Sequence, residues 1–147
     1  MPRAPPSWMN PRALELQDRT RAFAKDVIKL CEKLPQTQAA QSISEQLMAS
    51  SGSVNSNYRA ACRARTRKEF ISKLGVVVEE SDESLGWLQL LVETEMCKAE
   101  AAEPLITDAN ELVAIFVKSA KTARRNHDAE LARRKAARQH RSTIQKR

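Results

Sequence analysis

Between Arg59 and Lys73 the chain places six cationic side chains, Arg59, Arg63, Arg65, Arg67, Lys68 and Lys73, within fifteen residues. Guanidinium and ammonium groups at that density bind carboxylate or phosphate oxygens. A block of acids follows at once, Glu79, Glu80, Asp82 and Glu83. The cations therefore serve the protein's own acids, those of another copy, or a polyanion. Arg59 and Arg63 are four apart and share a helix face. Arg65 lies nearer the Tyr58 side, while Arg67 and Lys68 belong to a turn and a helix start. No aromatic side chain interleaves them as a base-stacking platform requires, so any nucleic-acid contact is to phosphates, without sequence readout.

Catalysis finds little support. His127 and His140 both lie in a basic C-terminal stretch, without the buried surroundings that tune a general base. Ser81 and Ser84, beside Asp82 and Glu83, have no histidine near them, and the chain has no Gly-rich phosphate loop. The acids lack the Glu-x-x-His pattern of a carboxylate metal site in a bundle. Cys31, Cys62 and Cys97 are odd in number and far apart, which suits small hydrophobes and neither a disulfide framework nor a metal site. The expectation is a protein that is not an enzyme, with no metal and no cofactor.

The elements that position these residues read as helices. Asn10-Pro11 has the form of a helix start, after which Leu16, Phe23, Val27, Leu30, Cys31 and Leu34 recur at helical spacing until Pro35. A second series, Ile43, Leu47, Val54, Tyr58 and Ala61, crosses Ser50-Ser-Gly52-Ser without losing phase. The steps from Ile43 to Val54 and from Leu47 to Tyr58 are both eleven residues, close to three full turns. One long helix to about Arg65 is predicted, its small residues permitting a close helix contact. Thr66-Arg-Lys-Glu69 has the form of a capping box and marks the start of helix three. Its seam is Ile71, Leu74, Val78, Leu85, Leu88 and Val92, widened by Phe70, Val77 and Leu91, and runs to about Met96. Helix four is predicted to open near Pro104, with Leu105, Ala109, Leu112, Val113, Phe116, Ala120 and Ala123 on its inner face. Four helices of roughly 20 to 30 residues with short connections make an all-α, antiparallel up-down-up-down four-helix bundle.

Length and composition agree. A chain of 147 residues is one domain burying roughly two thirds of its unfolded surface. Three glycines and six prolines, four of them before residue 12, leave a body rich in helix formers. No apolar run approaches the ~20 residues of a membrane span, and no signal-peptide segment opens the chain, so a soluble, cytoplasmic protein with no membrane association is expected. The net charge of +7 sits at the ends: residues 118–147 hold eleven Lys/Arg against two acids, whereas residues 14–117 hold twelve against sixteen. The predicted organisation is a flexible segment over 1–9, the bundle over 10–126, and a basic extension over 127–147, frayed helix or disordered, with almost no apolar face.

Several stretches carry a family resemblance: Ser53 to Leu74, Glu79 to Leu91 with Trp87-Leu88-Gln-Leu90, and Leu105 to Asn126 with Asn110-Glu-Leu-Val-Ala-Ile-Phe and Lys121-Thr-Ala-Arg-Arg-Asn. In order and spacing they resemble the bacterial four-helix-bundle family of proteins encoded by intervening sequences in large-subunit ribosomal RNA genes. The resemblance covers roughly residues 14–126; Asn55 and Gly86 depart from it, where a small residue and an aromatic are expected. It implies a bundle that assembles as a homopentamer and has no known catalytic activity. A distantly similar branch includes the accessory variability determinant of diversity-generating retroelements, which implies nucleic acid and a reverse transcriptase as partners.

Two assignments of the charged patches stand side by side. In an antiparallel pair that matches residue 104 with residue 96, Lys121, Arg124 and Arg125 come level with about Glu79 and neutralise the acids within one chain. In the other, Glu79, Glu80, Glu83 and Trp87 form a subunit interface that meets the next copy's Arg59, Arg63 or Arg65. Candidate phosphate ligands are Arg59, Arg63, Arg65, Arg67 and Lys68, then Lys121, Arg124 and Arg125, then Arg133, Arg134, Lys135 and Arg138 of the extension. The leading expectation is an oligomeric bundle that binds the RNA or DNA phosphate backbone nonspecifically. The alternative is an adaptor scaffold presenting a ring surface to a protein partner, such as a reverse transcriptase or a ribosomal component.

Overall fold

The computed structural model describes residues 12–146; the expected segment 1–9 and the Asn10-Pro11 helix start lie outside them. Four helices follow one another, α1 (Ala13–Glu32), α2 (Gln38–Cys62), α3 (Arg67–Glu93) and α4 (Ala99–Gln145). Each packs on the next, and α1 closes the bundle against α4. Short connections force neighbouring helices antiparallel, so the order is up-down-up-down. The α1–α4 seam is the sparsest. Across it Arg19 reaches Asp108, at 3.5 Å, and Glu111.

The core comes from one stripe of each helix. Leu16, Phe23, Val27 and Leu30 of α1 meet Leu47, Val54 and Tyr58 of α2, Leu74, Val77, Leu88 and Leu91 of α3, and Leu105, Leu112 and Phe116 of α4. Tyr58 and Phe116 pack tilted at 49° with ring centroids 5.0 Å apart, a favourable offset geometry.

The phase of α3 differs from its apolar pattern. Its buried positions are Phe70, Leu74, Val77, Ser81, Ser84, Leu88 and Leu91, whereas Ile71, Val78, Leu85 and Val92 are half-buried. Two serines complete the inner stripe, and a reading by hydrophobicity passes over them. They fit because α2 offers small residues opposite: Ser84 donates to Ser50 Oγ at 2.9 Å, and Ser50 donates to Leu47 O. Ser81, Ser51 and Thr20 likewise bond to carbonyls of their own helices. Every buried side-chain polar atom among the described residues has a partner, so this hydroxyl layer carries no desolvation penalty for an orphaned group. Asn55 joins it from α2, donating to Thr20 Oγ1 and to Gln17 O of α1 at 3.0 and 3.2 Å.

The helix through Gly52 is continuous, as its phase predicted. Gly52 itself does not provide the close contact: it is exposed and nothing lies within 4 Å of where a Cβ would stand. Ser50, buried and bonded to Ser84 of α3, provides it. Thr37 caps α2 by accepting from Ala40 N. The predicted start of α4 near Pro104 moves five residues earlier, to Ala99, leaving the proline inside the helix. Ala99, Ala101 and Ala102 are strong helix formers, Ala102 is fully buried, and a proline in the second turn removes a single backbone bond. Helix lengths are therefore unequal, 20, 25, 27 and 47 residues.

Candidate nucleic-acid interface

One end of the bundle gathers most of the positive charge, and the α2–α3 turn builds it. Arg63 closes α2, its N–H donating to Ala60 O, and Ala64 is buried as the plug of the turn. Thr66 then caps α3: its hydroxyl accepts from Glu69 N at 3.1 Å. Glu69 returns the bond one residue earlier than in a standard capping box, accepting from Arg65 N at 3.0 Å. With the turn fixed at both ends, Arg59, Arg63, Arg65 and Lys68 stand exposed around it, and no described carboxylate pairs with any of them.

Arg67 is different. It is half-buried, and its guanidinium lies 3.3 Å from Glu130 Oε2 of α4. Glu130 also receives Arg134, one helical turn further on. Sequence reasoning placed Arg67 and Arg134 among the phosphate ligands and gave Glu130 no role. The structure makes all three a clamp that fixes α4 against the start of α3. Its available signal was the Glu130/Arg134 spacing of four, which does not reveal the partner across the bundle.

The extension is helix, continuous with α4, where frayed helix or disorder was expected; no helix end falls at residue 127. Burial fades gradually, through buried Ala120 to half-buried Ala123, His127 and Glu130. That spacing keeps the inner face of α4 leaning on the turn well past the last apolar core residue. From Leu131 onward every described residue is exposed, including Arg133, Arg134, Lys135 and Arg138.

Lys121, Arg124 and Arg125 are exposed on α4 just before the clamp. The pairing with the acids of α3, one of the two assignments left open by the sequence, is not formed: among the described residues, no ion pair links them to Glu79, Glu80 or Glu83. These three cations remain open to an outside partner.

The acids occupy a separate flank of α3. Glu79 and Glu83 are exposed, Glu80 and Trp87 half-buried, and Trp87 Nε1 donates to Glu83 Oε1 at 3.3 Å. Burial, then the charges of Glu83 and Glu79, push the Glu80 carboxyl above the usual carboxylate range. A shallow apolar groove along Gly86, Trp87 and Leu90 is rimmed by Asp82, Glu83 and Glu93.

No group of three or more His, Cys, Asp or Glu among the described residues is arranged to hold a metal ion. The cysteines are half-buried and free, and burial pushes the Cys31 and Cys97 thiols upward, away from thiolate reactivity. No helix among the described residues is long and apolar enough to cross a membrane.

Comparison with known proteins bears on this arrangement. The model of the 23S rRNA-intervening sequence protein family matches residues 12–118. A crystal structure of a protein of unknown function from the S23 ribosomal protein family of Bacteroides thetaiotaomicron is 30% identical, with a TM-score of 0.67, over 72% of this chain and 98% of that one. No curated protein matches. The matched residues take in the bundle and the α2–α3 turn, and stop before Lys121, Glu130 and the projecting arm.

Proposed function

Since the chain belongs to the 23S rRNA-intervening sequence protein family, we propose that it is a cytoplasmic, non-enzymatic, oligomeric bundle that binds RNA or DNA nonspecifically through its basic end. One observation carries this reading. Arg59, Arg63, Arg65, Lys68, Lys121, Arg124 and Arg125 are exposed, without carboxylate partners among the described residues, at the end from which a basic helix projects. Unpaired cations in water gain by replacing the counterions condensed on a phosphate backbone, and the gain is independent of sequence. Repetition of the same end around a ring, which the family resemblance suggests as a pentamer, would multiply the affinity by avidity.

Titration of the purified protein against RNA and DNA at several salt concentrations tests the proposal. Expected is binding whose logarithm falls linearly with the logarithm of salt. Absence of binding at low salt overturns it.

The flank of α3 supports a second reading, a scaffold for a protein partner such as a reverse transcriptase or a ribosomal component. A half-buried Trp87 beside a groove rimmed by acids is suited to a cationic protein surface, in another copy or in a different chain. Protein that ignores nucleic acid yet captures one such partner would favour it. A solution mass separates the ring from a monomer.

A further inference from the structure

The arm is built for a narrower purpose than general attraction to phosphate. From Leu131 to the end of the chain there are seven Lys/Arg and no acid. Through Gln145 the arm is unbroken helix, projecting roughly 22 Å at ~1.5 Å per residue. At about 100° per residue, Arg133, Arg134, Lys135, Arg138 and Arg141 spread over roughly 200° of the circumference. A flat anionic surface reaches only one side of a helix, whereas this arc calls for phosphates on both sides.

Other occupants fit poorly. Leu131 and Ile144 are the arm's only large apolar residues, both exposed. At thirteen residues apart they face roughly opposite directions, so a partner helix or a lipid surface has no apolar seam to bury. No Phe, Tyr or Trp lies beyond Phe116, so the single imidazole of His140 is the arm's whole aromatic provision, short of the successive rings on which a run of unpaired bases would stack.

We infer that the arm is a groove-binding helix for duplex DNA, held rigid by the Arg67–Glu130–Arg134 clamp and flanked by phosphates on both walls of the major groove. A helix with its side chains is about 10–12 Å across, and the B-form major groove is about 12 Å wide. The A-form major groove of duplex RNA is too narrow to admit it. The inference rests on the proposed nucleic-acid binding and adds to it a preferred polymer and a mode of contact.

The test uses the full chain, duplex DNA, duplex RNA of the same sequence, and single-stranded DNA, all at one salt concentration. Two variants accompany it. Ala132→Pro breaks the arm from the bundle without changing its charge, twelve residues beyond the last buried position, Ala120, so the melting temperature confirms that the bundle is intact. The triple change Arg133→Gln, Lys135→Gln and Arg138→Gln removes charge but keeps a helix former at each site. Expected are duplex DNA affinity about tenfold or more above that for duplex RNA, a comparable loss for Ala132→Pro on DNA alone, and a salt slope lowered by about two to three in the triple variant. Equal affinity for the two duplexes, stronger binding of the single strand, or an Ala132→Pro variant that binds DNA like the parent overturns the groove inference while leaving general nucleic-acid binding in place. Failure of the parent protein to bind any of the three at low salt overturns both.

Discussion

Glu130 and Glu80 show how the surroundings of a carboxylate decide its part in this protein. Glu130 sits between two guanidinium groups and joins two elements, whereas Glu80 lies half-buried among like charges. The fold raises the Glu80 pKa, so the folded chain holds its proton more tightly than the unfolded chain does. Its ionised form therefore costs stability at neutral pH, and the cost is relieved as pH falls through the raised value. Glu80→Gln should melt higher than the parent at neutral pH, with the gap narrowing on acidification and gone below the ordinary carboxylate pKa of about 4.3. Thermal melts across that range check this; a gap independent of pH refutes it. At this scale the sequence spoke unevenly. The acidic run was visible by inspection, but the difference between Glu80 and its neighbours is one of burial, set by the phase of α3. Likewise Arg67 looks like its neighbours in the sequence and is distinguished only by where α4 passes.

The ends of the elements were legible where side chains cap them and illegible where they do not. Thr66 and Glu69 announced α3 because their oxygens satisfy free backbone donors. Its other end carries no such signal. There Glu95 adopts φ 58°, and the bonds Met96 N to Leu91 O and Glu95 N to Val92 O, both 3.0 Å, form a Schellman motif. Glycine is the usual residue in that left-handed position, since a Cβ there costs roughly 1–2 kcal/mol. Glu95→Gly is expected to stabilise the protein by about 1 kcal/mol, part of the relief being offset by the extra freedom of glycine in the unfolded chain. Urea unfolding at constant slope measures it, and a destabilised variant would show that the Glu95 side chain contributes more than its backbone strain removes. The start of α4 was misplaced for the converse reason: Pro104 is a conspicuous helix-start residue, and the alanines that begin the helix earlier act by propensity and by the burial of Ala102.

At the scale of the whole chain, α4 belongs to two bodies at once. Its first half completes the core with Leu105, Leu112 and Phe116; its last fifteen residues are all exposed, and Arg134 among them pairs with Glu130 of the same helix. The bundle was legible because four apolar stripes of helical period leave few other ways to bury themselves. The arm was not, since a helix lacking an apolar face is marginal in water by its own propensity, and what extends it here is continuity with a packed helix and the clamp at its root. Stability and charge are therefore divided between different parts of the molecule. Deleting residues 131–147 removes seven Lys/Arg and no acid, taking the formal charge from +7 to zero. It also removes Arg134 from the clamp, a largely exposed pair contributing about 0–1 kcal/mol. The truncated chain should unfold cooperatively within about 4 °C of the parent, while becoming less soluble at neutral pH as its net charge vanishes. Scanning calorimetry decides the matter: a large drop in melting temperature, or a broad uncooperative transition, would mean that the arm supports the bundle instead of being carried by it.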